Sequence, residues 1–188
     1  VYKFLRYIGP NNSYGNIAEL EFLAYQNQEL YMLHHEIIPV KANTADQILA
    51  AKSLTAEHGG LLPQFLTYKI TELPTHGEVK VNGLVLALND TFTQEDINKE
   101  LLTFSADASR LDDLFKVEVA SSVGGILPEV IVDIKIDSDF DGLSDQQEIS
   151  LGTDFNNADT NGNGISDSWE LENGMDPKDT ATLSSLVA

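Results

Sequence analysis

Cysteine is absent from this 188-residue chain, which excludes disulfides, thiolate nucleophiles and cysteine-based zinc sites. The absence does not exclude secretion, because bound cations can crosslink an extracellular fold as disulfides do. Long apolar runs are missing as well, and none approaches the ~20 residues that a membrane-spanning helix needs. Basic residues are scarce: 11 Lys and Arg face 30 Asp and Glu, a formal net charge of −19. Such a charge repels nucleic acid and anionic membranes and favours cation binding.

Catalytic motifs are also missing. Serine, histidine and aspartate all occur, but no nucleophile elbow or comparable signature frames them. The adjacent His34 and His35 would point to opposite faces of a strand, which does not suit a shared metal ion. We therefore expect neither a catalytic site nor an organic cofactor.

Alternating apolar and polar residues dominate the chain up to residue 136, and this pattern predicts a mainly β fold, an antiparallel β-sandwich with extra N-terminal strands. The strands are expected at residues 3–8, 16–22, 65–70, 78–81, 84–86, 101–104, 114–119 and 130–136. Asn82-Gly83 between two apolar runs is the strongest hairpin signal. Short helices are expected at residues 45–51 and 93–97, with Thr93 capping the second. Because the chain opens inside a strand-like run, we expect the natural N-terminus to lie upstream.

The composition changes at Asp137. Residues 137–188 hold 12 acidic residues and one basic residue, Lys178, and their large apolar side chains are few and scattered. A segment of 52 residues with so few apolar side chains cannot bury enough surface to fold unaided. Something other than an apolar core must stabilise it.

A 22-residue internal repeat fills this segment. The first repeat (137–158) and the second repeat (159–180) share seven of 22 positions, and each has oxygen-bearing side chains at positions 1, 3 and 5, glycine at 6 and acids at 9 and 12. Calcium takes about 6–8 oxygen ligands, and side chains spaced in this way surround one point of a turning loop. Glycine at position 6 permits the sharp turn. The carbonyl at position 7 and the carboxylate at position 12 can complete the shell.

We expect calcium in each repeat, so at least two ions in loop-rich tandem repeats with short helices. The first candidate ligands are Asp137, Asp139, Asp141, the Leu143 carbonyl, Asp145 and Glu148. Their counterparts in the second repeat are Asp159, Asn161, Asn163, the Ile165 carbonyl, Asp167 and Glu170. The trailing Asp154 and Asp176 are expected to reach a neighbouring ion. Helices are expected at residues 145–151 and 167–173, and Trp169 is expected to fill a small core between the loops. The first repeat has more carboxylates, so the two sites are expected to differ in affinity.

Two alternatives compete with structural calcium sites. A solvated acidic tail is the usual meaning of an acidic run, but it explains neither the duplicated spacing nor the placed glycines. An EF-hand sensor normally has an apolar residue at loop position 8, where this chain has Ser144 and Ser166. Magnesium is disfavoured, because it rarely uses all-protein cages. Two carboxylates ~5 Å apart repel by about 3 kcal/mol at an effective dielectric near 20, so such loops need a cation.

Three stretches resemble known families. The pattern D-x-[DN]-x-[DN]-G-[LI]-S-D-x-x-E followed by G-x-D, over residues 137–180, resembles thrombospondin type 3 repeats in their cysteine-free bacterial form. Residues 43–136 contain the segments LTYKI at 66–70, PTHG at 74–77, VNG at 81–83, DTFTQEDI at 90–97 and FKVEV at 115–119. With these segments, this part of the chain resembles the cadherin-like repeat of chondroitin sulfate proteoglycans. Residues 2–25 contain the segments RYIGP at 6–10 and SYGNIAELEF at 13–22. With these segments, they resemble the last strands of a discoidin-like (factor 5/8 type C) domain.

These resemblances imply three segments: discoidin-like terminal strands at 1–38, a cadherin-like sandwich at 39–136, and calcium-binding repeats with a tail at 137–188. The expected function is a non-catalytic calcium-binding module string of a large extracellular or cell-surface protein, serving adhesion or spacing. One alternative is an accessory C-terminal region of a secreted carbohydrate-active enzyme, and another is an EF-hand-like sensor. Besides calcium, the expected partners are an extracellular glycan or another surface protein, with no nucleic acid and no membrane insertion.

Overall fold

The computed structural model describes residues 29–180, so the predicted strands at 3–8 and 16–22 and the discoidin-like stretch lie outside the described residues. Within this range the chain forms strands, three short α-helices and one 3-10 turn. The strands are β1 (Tyr31–His35), β2 (Ile38–Val40), β3 (Gln47–Ile48), β4 (Leu54–Glu57), β5 (Leu66–Glu72), β6 (Gly77–Val81), β7 (Leu84–Val85), β8 (Thr91–Thr93), β9 (Leu102–Ala106), β10 (Asp113–Ser121) and β11 (Ile126–Ile136). The helices are α1 (Gln94–Asn98), α2 (Asp145–Leu151) and α3 (Asp167–Glu172), and the 3-10 turn is Pro63–Phe65. None of the helices in residues 29–180 has the length and apolar character needed to cross a membrane.

The strands form two main sheets, as the sequence pattern predicts. The first has the order β2-β11-β10-β5-β8 and the second the order β3-β9-β6-β7, while β1 pairs with β4. The pairings are antiparallel except that the short edge strand β2 runs parallel to the end of β11. A mainly β, antiparallel sandwich fold is therefore confirmed.

The core lies between the two sheets because inward-facing residues alternate along the strands. In β10, for example, Phe115, Val117 and Val119 are fully buried while the residues between them are only partly covered. Ten of the buried side chains from both sheets are Tyr68, Ile70, Val79, Leu102, Phe104, Phe115, Val117, Val119, Val132 and Ile134. Each buried side chain of this size stabilises the fold by about 1.5–3 kcal/mol before conformational entropy is subtracted.

A buried polar cluster closes the core beside α1. The Tyr68 hydroxyl donates to Gln94 Oε1 at 2.5 Å, and the Ala56 amide donates to the same oxygen at 2.9 Å. The Tyr68 ring stacks on Phe92 with centroids 5.0 Å apart. Burial raises the pKa of Tyr68 above its ordinary value, so the hydroxyl stays protonated and keeps donating.

The predicted hairpin and the predicted cap are both confirmed. Asn82 and Gly83 have φ of 51° and 77°, the left-handed pair that a two-residue turn between β6 and β7 needs. Thr93 caps α1 and forms a capping box with Asp96.

The predicted helix at residues 45–51 is wrong. Asn43 and Asp46 have φ of 53° and 55°, and this left-handed backbone interrupts any helix before it can start. The segment instead contributes the short strand β3, which pairs with β9 and carries the fully buried Leu49 just beyond its end. Tertiary pairing therefore overrides the local helix propensity of this segment.

Candidate metal centre

The first repeat begins at a fixed point on the sandwich. The last residue of β11, Ile136, donates its amide to Asp112 Oδ1 at 2.8 Å, and the amide of Asp137 donates to the Val40 carbonyl at 2.9 Å. A strand thus runs straight into the first loop (137–148), whereas an EF-hand loop follows a long helix. The position of the first carboxylate is set by the end of strand β11 beside the edge strand β2.

Three aspartates converge in the first loop. Asp137, Asp139 and Asp141 place carboxylate oxygens within 4.8 Å of one another, so that one ion could contact all three. Backbone amides orient them: Phe140 and Gly142 donate to Asp137 at 2.7 and 3.1 Å. The loop closes because Gly142 adopts a φ of 106°, which side-chain-bearing residues rarely adopt.

Two carboxylate oxygens in this loop are buried without any hydrogen-bond partner, namely Asp139 Oδ2 and Glu148 Oε2. Glu148 is fully buried. An unsatisfied buried polar group costs about 1–3 kcal/mol, and a charged one costs more. A divalent cation bound by oxygen ligands would satisfy both atoms, so these residues fit calcium.

Electrostatics in the first loop also favour a cation. Desolvation, followed by repulsion from Asp139 and Asp141, raises the pKa of Glu148 from 4.5 to about 8. Desolvation is likewise the main cause that raises the pKa of Asp139 from 3.8 to about 6, with repulsion from Asp141 and Asp137 contributing. Burial also raises the pKa of Asp137. The folded loop therefore holds negative charge only at a free-energy cost unless a cation compensates it.

Helix α2 presents two acids to the loop. It spans residues 145–151 as predicted, begins at the N-cap Ser144 with a capping box to Gln147, and ends at Gly152 with φ 77°. The buried residues of this helix are Asp145 and Glu148, which are three positions apart and therefore share one face. The face that an ordinary helix fills with apolar side chains here carries carboxylates.

The acid at position 9 braces each loop in the same way. Asp145 accepts hydrogen bonds from the amide and the hydroxyl of Ser138, both at 2.8 Å. Asp167 accepts from the amide and the hydroxyl of Thr160 at 2.9 and 2.7 Å. This hydroxyl was not predicted from the sequence, although both repeats carry Ser or Thr at position 2.

The second loop (159–170) repeats the backbone geometry of the first. Asp159 accepts amide hydrogen bonds from Gly162, Asn163 and Gly164, as Asp137 does from Phe140 and Gly142. In both loops the position 5 side chain accepts from the position 7 amide, at 2.7 Å for Leu143 and 2.9 Å for Ile165. Whether the carbonyls of these two residues bind an ion stays a prediction.

The centre of the second loop differs, because amides replace two carboxylates. Asn161 Nδ2 donates to Glu170 Oε2 at 3.1 Å, and Asn163 Nδ2 donates to Glu170 Oε1 at 2.8 Å. The buried Glu170 thus has partners from its own loop, whereas Glu148 Oε2 has none. For calcium to bind here, both amides would have to turn oxygens inward.

The two repeats interlock at the start of α3. The Ser168 amide donates to Asp141 Oδ2 at 2.9 Å, and its hydroxyl donates to the Asp141 carbonyl at 2.5 Å. The Asp167 carboxylate also lies close enough to contribute to the raised pKa values of Asp139 and Glu148. Ser168 was not singled out from the sequence, since no local pattern reports a contact 27 residues away.

The structure does not bring the trailing acids into the cluster. Asp154 and Asp176 are exposed, and each accepts the amide of the residue two positions later, Asn156 or Lys178. In residues 29–180 the group of acids close enough to share an ion consists of Asp137, Asp139 and Asp141.

Trp169 is not a core residue as predicted, because it is 40% exposed. Helix α3 is only six residues long, and its buried face holds Asp167 and Glu170. Trp169 follows Asp167 by two residues and precedes Glu170 by one, so its side chain lies off that face.

Comparison with protein families matches residues 31–136 to the Cadherin-like family and residues 137–158 to the Bacterial TSP3 repeat, a calcium-binding type. Both are non-catalytic modules, and both predicted resemblances are confirmed over these ranges; the discoidin-like resemblance and the proteoglycan repeat stay predictions. A solved structure titled "Biofilm associated protein - BSP domain" is 19% identical over 60% of this chain. The match spans 29% of that structure, and its TM-score of 0.24 is too low to carry a functional conclusion. Since the family match covers more than half of its residues, this chain belongs to the Cadherin-like family.

Proposed function

We propose that residues 137–180 bind two calcium ions, one in each loop, and that these ions stiffen a non-catalytic module of a large extracellular or cell-surface protein. The observation that carries the proposal is the pair of buried carboxylate oxygens without partners, Asp139 Oδ2 and Glu148 Oε2. They lie in a loop whose other aspartates converge within 4.8 Å. A solvated acidic tail would not bury such atoms.

The ligands of the first ion are Asp137, Asp139, Asp141 and Glu148, with the Leu143 carbonyl. Asp145 acts mainly as the brace that holds Ser138, because both of its oxygens already accept hydrogen bonds. The second ion uses Asp159, Asn161, Asn163, Glu170 and the Ile165 carbonyl, with Asp167 as the brace. Asp154 and Asp176 are exposed and stand apart from both sets.

The first site binds more tightly than the second. Its loop carries five acids at the candidate positions against three in the second loop. The second ion must also displace the amide groups that donate to Glu170. Extracellular calcium modules typically have dissociation constants of about 10⁻⁴–10⁻³ M, and we place these sites in that range.

The role of the ions is structural. Calcium would fix the repeats to each other and to the end of β11, and so turn a string of modules into a spacer or an adhesive stalk. In this arrangement a sandwich segment (39–136) precedes a calcium segment (137–188). Its partners would be an extracellular glycan or another surface protein. The alternative, an accessory region of a secreted carbohydrate-active enzyme, depends on residues 1–25 and stays a prediction.

The test is a calcium titration and a thermal melt of the full chain, in millimolar calcium and in excess chelator. Trp169 is the single tryptophan of the chain, so its fluorescence reports on the second repeat, and circular dichroism reports on the sandwich. We expect two binding events, and we expect chelation to disorder the Trp169 region while the sandwich still melts cooperatively. No change on chelation would refute the proposal. Micromolar affinity together with binding of an apolar dye would instead indicate a sensor.

A further inference from the structure

Arg110 is a cation from the sandwich that reaches into the first repeat. It lies in the loop between β9 and β10, and its Nη1 is 3.1 Å from Asp145 Oδ2. Its guanidinium carbon also sits 3.9 Å from the centroid of the Phe155 ring, which follows α2. One side chain therefore contacts the first residue of α2 and also a residue beyond the end of this helix.

We propose that Arg110 is a positioning residue that couples calcium occupancy of the first loop to the sandwich. It pairs with Asp145 when the loop is closed around its ion, and it loses this partner when the loop opens. The inference rests on the proposed calcium site and adds a specific residue of the sandwich to it.

The second repeat provides an internal comparison. Asp167 occupies the same position as Asp145, is equally buried, and accepts the same pair of hydrogen bonds from position 2. In the described range 29–180, no Lys, Arg or His forms a salt bridge with Asp167. The brace therefore does not need an arginine in order to form. The contact of Arg110 with Asp145 serves the junction between the repeat and the sandwich.

The loop that carries Arg110 is built to present it. Asp107 accepts the Ser109 amide at 2.8 Å, and Arg110 itself adopts a left-handed φ of 58°. A residue other than glycine is held in such a conformation only where surrounding contacts over-determine it. Beyond this turn the guanidinium group of Arg110 contacts the carboxylate of Asp145 and the ring of Phe155.

The coupling follows from the position of Asp145 in the chain. It is the first residue of α2, and Glu148 on the next turn belongs to the proposed first calcium site. Without an ion, repulsion among the loop carboxylates displaces α2 and with it Asp145. Linkage is reciprocal: if calcium favours the pairing of Arg110 with Asp145, then Arg110 must favour calcium by the same factor.

The first experiment follows the arginine directly. The chain has only two arginines, Arg6 and Arg110, so a ¹⁵N-arginine-labelled sample gives two side-chain Nε signals, and Arg6→Lys assigns them. We expect calcium to shift the Arg110 signal and to slow rotation of its guanidinium group. A signal that ignores calcium while calcium still binds would overturn the coupling.

The second experiment measures the factor by which Arg110 strengthens calcium binding. We expect Arg110→Gln to weaken calcium binding at the tighter site by about fivefold or more, the lower end of typical coupling factors. Arg110→Lys keeps the charge without the planar fork and should fall between wild type and Arg110→Gln. Lys99→Gln, which removes a cation in an exposed pair with Glu95, is the matched control and should bind like wild type.

The competing effect has the opposite sign. Removing a positive charge near a bound cation would tighten calcium binding, so unchanged or tighter binding in Arg110→Gln would overturn the proposal. If no variant binds calcium at all, including wild type, then the proposed function fails instead. Titration of wild type therefore separates the two failures.

Discussion

Asp139 lies within a cluster of like charges, so removing its charge should have opposite effects on the calcium-free and calcium-bound protein. The substitution is Asp139→Asn, which installs the residue that the second repeat already has at this position, Asn161. It keeps the oxygen that accepts the Asp141 amide, and it removes one negative charge from the cluster of three aspartates. The side-chain size hardly changes, so packing should be preserved.

Without calcium, the substitution should stabilise the first repeat. Two unit charges 4.8 Å apart repel by about 3 kcal/mol at an effective dielectric of 20. Asp139 is partly exposed, so solvent screening reduces this repulsion to about a third to a half, or about 1–2 kcal/mol, for each neighbouring carboxylate. Because Asp139 has two such neighbours, Asp137 and Asp141, the chelated protein should be stabilised by about 2–4 kcal/mol.

With calcium, the same substitution should weaken binding, because a neutral amide oxygen replaces a charged ligand. At a calcium concentration about a hundred times Kd, binding stabilises the folded protein by about 2.7 kcal/mol. A roughly tenfold weaker site at the same concentration contributes only about 1.4 kcal/mol. The difference between the melting temperatures with and without calcium should therefore shrink for two reasons. The chelated protein becomes more stable, and calcium adds less stability to it.

The assay is a pair of thermal melts, in calcium and in chelator, followed by Trp169 fluorescence and circular dichroism and supported by calorimetric titration. Glu172→Gln is the matched control, since it makes the same charge change at an exposed position of α3. If Asp139→Asn weakens binding without stabilising the chelated protein, the repulsion argument is wrong. If it changes neither quantity, the cluster is not a calcium site.

Three further predictions concern the same loops. In chelator, stability should fall as the pH rises from about 4.5 to about 8, because Glu148 has a folded pKa raised above its unfolded value; melts at several pH values check this, and a rise would contradict it. Gly142→Ala should weaken calcium binding through a cost of about 1–2 kcal/mol at φ 106°, whereas Gly83→Ala, which also falls at a positive φ (77°) but in the distant hairpin, should leave the titration unchanged. Hydrogen exchange in chelator should be faster in α2 than in α3, because Glu170 keeps its amide partners and Glu148 Oε2 has none; equal rates would contradict this.

The parts of the fold that the sequence predicted well are those set by local chemistry. The Asn82-Gly83 turn, the Thr93 cap and the α2 boundaries depend on neighbours within a few residues, so the pattern alone predicts them. The failed helix at residues 45–51 has helical propensity but belongs to an edge strand. Its conformation is decided by pairing with β9, more than 50 residues away in the chain, which no local pattern reports.

In the candidate site, too, the features set by local sequence could be predicted, and the contacts between distant segments could not. The duplicated spacing is enough to predict that Asp137, Asp139 and Asp141 converge, because a loop of fixed length with glycine at position 6 has few ways to close. The spacing does not show that Asp145 is a brace held by Ser138 or that it meets Arg110 from the sandwich. These contacts join distant segments, and only the tertiary structure brings them together.

The reason Trp169 is exposed also explains why the repeats need metal. Helices α2 and α3 bury acids on the faces where other helices bury leucines, and a buried charge without compensation costs several kcal/mol. The second repeat compensates Glu170 with its own asparagine amides. The first repeat leaves Glu148 Oε2 without a partner, and the carboxylates of Asp139 and Asp141 repel its charge. The site with the greater charge is thus both the one that should bind calcium more tightly and the one whose fold should depend on it more.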